Sequence, residues 1–233
     1  VPSEDRFRRL FVPTEGQLLC GADLSGIELR MLAHYLARYD GGRYADILLN
    51  GDIHQTNADK IGISRRAVKT VTYAFLYGAG DLKLGQSFDK QLSDKEARAK
   101  GKEIRAAYID AIPGLADLLS AIKTAGGRGY IKALDGRKII LDSPHKALNF
   151  CLQSGAGVVA KRWLVIANDM SKQFCCSQLG FIHDEIQYEV DPEHGENLRF
   201  ALELAAVQAG EYYKMRLPNA AEAKLGANWA ETH

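Results

Sequence analysis

Ser64-Arg65-Arg66-Ala67-Val68-Lys69-Thr70-Val71-Thr72-Tyr73-Ala74-Phe75-Leu76-Tyr77-Gly78 is the stretch from which the rest of the chain can be read. At roughly 100° per residue, Arg65, Lys69, Tyr73 and Tyr77 fall on one side of a helix, and Val68, Val71 and Phe75 roughly opposite. One face therefore packs, while the other presents two cations and two phenols. Such a face suits a nucleoside triphosphate, with cations against phosphate oxygens and rings against sugar and base. Taken alone, the spacing fits a solvated basic surface with tyrosines at its edge at least as well, so the flanking sequence has to decide. Ser64 reads as the N-cap and Gly78-Ala79-Gly80 as the stop.

Upstream, Leu18-Leu19-Cys20-Gly21-Ala22-Asp23 is an apolar run that reads as a buried strand ending in a carboxylate, with a helix directly after it. Downstream, Gly180-Phe181-Ile182-His183-Asp184-Glu185-Ile186-Gln187-Tyr188-Glu189-Val190 alternates apolar and polar after Glu185 and sets two adjacent acids within strand-forming sequence. Uncompensated carboxylates are costly to bury, so acids so placed bind cations or share protons. If Asp23 and Asp184 converge they make a site for two divalent metals, and hard carboxylate oxygen favours magnesium. Metal-holding acids together with a phosphate-gripping helix are the parts of phosphoryl or nucleotidyl transfer.

With these three segments in order, the chain resembles the palm and fingers of family A DNA polymerases, the group of bacterial DNA polymerase I and the replicative polymerases of short-tailed phages. The family's first motif, Asp-x-Ser-x-Ile-Glu-Leu-Arg, stands at Asp23 to Arg30; the second, Arg-x-x-x-Lys-x-x-x-(Tyr or Phe)-x-x-x-Tyr-Gly, at Arg65 to Gly78; the third is His183-Asp184-Glu185. The likeness extends to Gly51-Asp52-Ile53-His54 and Gly226-Ala227-Asn228-Trp229. Leu24 and Gly26 replace the Tyr and Gln usual in bacterial members, which places the chain nearer the phage branch.

The resemblance implies an α+β fold: a palm with an antiparallel β-sheet backed by helices, from residues 1–33 and 142–233, and a mostly helical fingers subdomain, residues 34–141. A thumb and an exonuclease domain are expected to be absent from these residues. It implies template-directed transfer of deoxynucleotides from dNTP to a primer 3′-hydroxyl, with two Mg²⁺ ions, or Mn²⁺ as a substitute, on Asp23, Asp184 and the backbone carbonyl of Leu24. Glu185 would serve near the primer end and the metals. Lys69 would stabilise the leaving pyrophosphate, Arg65 and His54 the triphosphate, and Tyr73 would pack under the sugar, with Tyr77 near the templating pair. Glu28 would exclude a ribose 2′-hydroxyl, although Ser25-Gly26-Ile27-Glu28 is also the pattern of a capping box. Asn149 and Gln153 match the family's minor-groove readers, which can check acceptors common to all base pairs; His145, on the same helical stripe, and His183 are the remaining candidates for DNA contact. A single-subunit RNA polymerase shares the layout but generally lacks an acid at the position of Glu28 and has His-Asp-Ser in the third motif. A fragment that binds metal, nucleotide or nucleic acid without turnover is the other alternative.

Composition agrees. The 233 residues carry a net charge of +1, which argues against a uniformly basic nucleic-acid binder, but Lys60, Arg65, Arg66 and Lys69 concentrate positive charge near the second motif. Cys20, Cys151, Cys175 and Cys176 lie mostly in apolar sequence without metal-binding spacing and read as reduced core thiols. No apolar run reaches the roughly 20 residues of a bilayer span, and no signal peptide is visible. The expected setting is the cytoplasm of a bacterium or phage-infected host, with primer-template DNA and dNTPs as partners. The chain opens on Val1-Pro2, which suggests a piece of a longer polymerase whose N-terminal thumb and exonuclease portion would be a further partner.

The remaining elements follow from pattern. Palm strands are expected over Phe7–Asp23, a helix from Ser25 to about Tyr39, helices over Asp94–Tyr108 and Leu115–Thr124, and a hairpin about Asp135-Gly136. A long helix should open at Ser143-Pro144 and run to about Phe174, and an amphipathic helix over Glu193–Tyr213 should back the palm sheet.

Overall fold

The computed structural model describes residues 4–143 and 146–233. Two compact units divide the chain, one comprising the residues up to Ile27 together with Ala156–His233, the other Glu28–Gly155. The divisions fall inside helices α2 (Ile27–Asp40) and α9 (Ala147–Ser171).

The first unit is built on a four-stranded antiparallel sheet. Strands β1 (Leu18–Leu24), β4 (Cys176–Ile182), β5 (Glu185–Val190) and β6 (Ala221–Gly226) lie in the order β4-β5-β1-β6. β1 pairs on both edges and is covered on both faces, so it reads as a continuous apolar run rather than an alternating one. Its side chains still alternate between faces. Cys20 and Ala22 lie on one face, with Ile186 and Tyr188 beside them, and α10 (Gly195–Tyr212) packs there through Leu198, Ala201, Leu202, Ala205 and Ala206. The small alanines let the helix approach the sheet closely, and Trp163 of α9 donates its indole N–H to the Leu202 carbonyl at 2.8 Å. Gly21 and Asp23 face the other way, toward the short helix α11 (Trp229–Thr232).

Two details depart from the sequence reading. Palm strands were expected from Phe7, but Asp5–Arg8 forms the short helix α1 and pairing begins only at Leu18, just after a turn in which the Gln17 N–H donates to the Thr14 carbonyl at 3.0 Å with Gly16 at φ 85°. β6 was not anticipated; Ala221–Gly226 has no β-branched residue, and its extended state comes from pairing with β1. The acidic stretch forms a hairpin, in which Ile182 pairs with Glu185, and His183 and Asp184 make the two-residue turn. His183 takes φ 58°, a left-handed conformation that tight hairpins require and a non-glycine residue adopts at a cost of roughly 1–2 kcal/mol.

The second unit is mainly helical: most of α2, then α3 (Arg43–Asn50), α4 (Ile53–Ile61), α5 (Arg65–Leu76), α6 (Asp81–Phe88), α7 (Asp94–Ala111), α8 (Leu115–Gly126), the β2–β3 hairpin (Tyr130–Lys132 and Lys138–Ile140) and the start of α9. Val68, Val71, Phe75, Leu84, Ile104 and Tyr108 are buried in its interior. Ser93 and Glu96 form a full capping box at the head of α7. α6 and α7 meet backbone to backbone: a Cβ at Gly85 would lie 1.9 Å from the Ala97 carbonyl oxygen, and one at Gly101 would lie 1.8 Å from that of Asp81.

Cys20 and Cys151 are buried free thiols, and burial pushes the Cys20 thiol up to about 12. Cys175 is exposed, so it is not a core thiol. Among the described residues, no helix is long and apolar enough to cross a membrane.

Candidate active site

In the first unit, strand pairing assembles the acids. Asp23 lies directly opposite Glu185 in the β1–β5 ladder, and residues so paired project on one face. One ligand atom from each of Asp23, Glu185 and His233 lies within 4.8 Å of the others. Asp184 joins through the backbone, its carbonyl accepting the Leu24 N–H at 3.0 Å. It is not a member of the converging three-residue group.

Glu185 is buried and held. Its Oε1 accepts from Trp229 Nε1 at 2.5 Å and Gln187 Nε2 at 2.7 Å, and its Oε2 lies 2.9 Å from His233 Nδ1. Two neighbouring carboxylates with an imidazole beside them form a donor set able to hold a divalent cation, and the oxygen pair suits a hard one.

The second unit carries the basic face. Ser64 caps α5, its Oγ accepting the Ala67 N–H at 3.2 Å. Val68, Val71, Thr72, Phe75 and Leu76 are buried, whereas Arg65 and Lys69 are exposed and Tyr73 is half-buried. Asp52 caps α4 through the His54 and Gln55 N–H groups, both at 3.0 Å, and its other oxygen takes Arg65 Nε at 2.7 Å. The ion pair is solvent-exposed and so contributes little to stability, which leaves the guanidinium able to exchange partners. His54 is buried beside these cations with its ring 6.2 Å from that of Tyr73. Burial first, then the Arg65 and Lys69 charges, hold its pKa below the usual histidine value, against the opposing pull of Asp52.

At the C-terminal end of α5, Tyr77 donates its hydroxyl to Glu28 Oε1 at 2.8 Å. α2 begins at Ile27 after Gly26 at φ 56°, so Glu28 is the second helical residue and not the third that a regular capping box needs. Asn149 Nδ2 donates to the Leu76 carbonyl at 3.1 Å, and Gln153 Nε2 is buried with no partner among the described residues. His183 is exposed at the hairpin turn. His145 lies outside the described residues.

A sequence model of DNA polymerase family A matches residues 2–231. The chain belongs to DNA polymerase family A. The DNA-directed DNA polymerase of Enterobacteria phage T3 is 36% identical over 91% of this family A chain, and that of Escherichia phage T7 is 34% identical over 91%. The DNA polymerase I of Pseudomonas aeruginosa is 26% identical over 98%, so the likeness to the phage enzymes is the stronger, as Leu24 and Gly26 suggested. Among solved structures, the POL domain of Pol1 from M. smegmatis, in complex with DNA primer-template and dNTP, superposes with a TM-score of 0.82 at 25% identity and covers 100% of this chain. The chain spans 33% of the length of the two phage relatives and 44% of that structure.

The sequence reading gave no role at the acids to Gln187, Thr232 or His233, nor to Trp229, which it noted only as part of the family likeness. Gln187 was within reach, two residues after Glu185 on the same strand face. Trp229 and Thr232 arrive on α11, and His233 just after it; no local pattern announces the docking of that helix.

Proposed function

We propose that this family A chain is the palm and fingers portion of a longer polymerase, the sheet unit being palm and the helical unit fingers, and that it adds deoxynucleotides from dNTP to a primer 3′-hydroxyl under template direction. The observation that carries the reading is the pairing of Asp23 with Glu185 across β1 and β5, with Asp184 at the adjoining turn. Asp23, Asp184 and the Leu24 carbonyl would hold two Mg²⁺ ions, with Glu185 beside them. Bound there, the ions would supply Lewis-acid activation of the hydroxyl and neutralisation of triphosphate charge.

The protein's own groups divide the remaining work. Lys69 and Arg65 would bind the triphosphate, Arg65 exchanging Asp52 for phosphate, and Lys69 would stabilise charge on the departing pyrophosphate. His54, neutral in the free chain, would gain a proton as phosphate approaches. Tyr73 would support the sugar. The Tyr77–Glu28 hydrogen bond fixes the carboxylate that would exclude a 2′-hydroxyl, and Asn149 and Gln153 would test minor-groove acceptors. Thumb and exonuclease functions would reside in other sequence, a reading supported by the chain spanning 33% of the length of the two phage relatives.

Primer extension with this chain, and with a longer polymerase that contains it, tests the reading. Asp23→Ala and Asp184→Ala should each lower incorporation by several powers of ten while primer-template binding persists. An active Asp184→Ala enzyme would overturn the assignment. Activity in the longer polymerase but none in this chain would favour the non-turnover fragment.

A further inference from the structure

One oxygen of Glu185 has two donors, and both donors are themselves fixed. Trp229 Nε1 and Gln187 Nε2 converge on Oε1 at 2.5 and 2.7 Å. Gln187 is anchored at its other end, its Oε1 accepting the Thr232 hydroxyl at 3.1 Å. All four side chains are at least nine-tenths buried, with Glu185 4%, Gln187 5%, Thr232 3% and Trp229 9% exposed.

The segment that supplies two of them is secured from outside. Trp229 donates its backbone N–H to the Phe11 carbonyl at 3.0 Å and meets the Phe11 ring edge-on at 5.2 Å. Asn228 caps α11 on the Ala230 N–H at 3.1 Å. Gly21 provides the space, since a Cβ there would stand 2.2 Å from Gln187 Nε2 and 2.6 Å from the Thr232 carbonyl.

A carboxylate has two chemically equivalent oxygens, and rotation about its last bond exchanges them. Two donors on Oε1 remove that equivalence and leave Oε2 facing His233 within the group that includes Asp23. A buried polar network with its members satisfied selects one arrangement of the groups it contains.

We propose that Trp229 and Gln187 are positioning residues of the polymerase site. They fix Glu185 so that Oε2 is the oxygen presented to a divalent cation, and Thr232 holds Gln187 in turn. This rests on the reading that Asp23 and Glu185 belong to a cation site.

The test is Mn²⁺ titration of the chain followed by electron paramagnetic resonance, in wild type, Trp229→Phe, Gln187→Met, Thr232→Val and Asp23→Ala. Loss of a group that orients a metal ligand typically weakens affinity about 10- to 100-fold. Trp229→Phe and Gln187→Met should each show a loss in that range, with a smaller one in Thr232→Val. Asp23→Ala should remove the site. Wild-type binding that Asp23→Ala leaves intact, or no binding at all, would sink the cation-site reading itself. Binding abolished by Asp23→Ala yet unchanged in Trp229→Phe and Gln187→Met would overturn the positioning roles alone.

A metal-free readout guards against variants that fold poorly. The indole N–H resonance of Trp229, identified by its loss in Trp229→Phe, should move upfield in Glu185→Gln as a charged acceptor becomes neutral, while that of Trp163 stays in place. A Trp229 resonance indifferent to Glu185→Gln would refute the hydrogen bond on which the inference stands.

Discussion

Gly21→Ala concentrates the site's dependence on packing into one methyl group. The new Cβ would lie 2.2 Å from Gln187 Nε2, 2.6 Å from the Thr232 carbonyl oxygen and 2.8 Å from the Thr232 Cβ. The glutamine amide can move, but two of the three obstacles belong to α11, so the helix must shift off the sheet. Overpacking of this kind costs about 1–3 kcal/mol, and losing the Gln187 bond to the Glu185 carboxylate adds about 1.5–3 kcal/mol. Against this, alanine gains about 0.5–1 kcal/mol over glycine from the unfolded chain. The net is a destabilisation of about 3 kcal/mol, which for a chain of this size lowers the melting temperature by about 6–12 °C. Both tryptophans, Trp163 and Trp229, lie in the sheet unit, so a melt followed by tryptophan fluorescence reports on that unit. Gly157→Ala serves as the control, because nothing lies within 4 Å of a Cβ built there, and it should melt at or slightly above the wild-type temperature. A Gly21→Ala chain melting within about 1 °C of wild type would refute this account of how α11 is seated.

Two other perturbations probe the helical unit. Gly101→Ala sets a methyl against the Asp81 backbone, where no side-chain motion relieves it; it should cost about 3 kcal/mol, and an unshifted urea midpoint by circular dichroism would contradict the close α6–α7 contact. His54 titrates below its ordinary value in the folded chain, so on acidification the unfolded chain takes up its proton first, and stability falls as the pH drops below about 6.5. His54→Gln should flatten that fall between pH 7 and pH 5, and equal slopes of urea midpoint against pH in the two proteins would show that His54 is not held neutral.

Much of this was legible in the sequence because it is written in local chemistry. The face of α5 follows from 3.6-residue periodicity with Ser64 as its cap, and the β2–β3 hairpin from Asp135-Gly136 between short apolar runs. Asp23 at a strand end and the His183-Asp184-Glu185 stretch were visible as acids in strand-forming sequence, and the three motifs together named the family. What one dimension could not supply was the partnership between strands far apart in the chain. That Glu185, rather than Asp184, stands directly across from Asp23 is a matter of register, and a shift of one residue would have exchanged them between faces. β6 has too weak a strand propensity to be seen before β1 is there to pair with it. The ring of donors around Glu185 is assembled only when α11 returns to the sheet over Gly21, because a hydrogen bond between residues 44 positions apart, Trp229 and Glu185, has no signature in either neighbourhood.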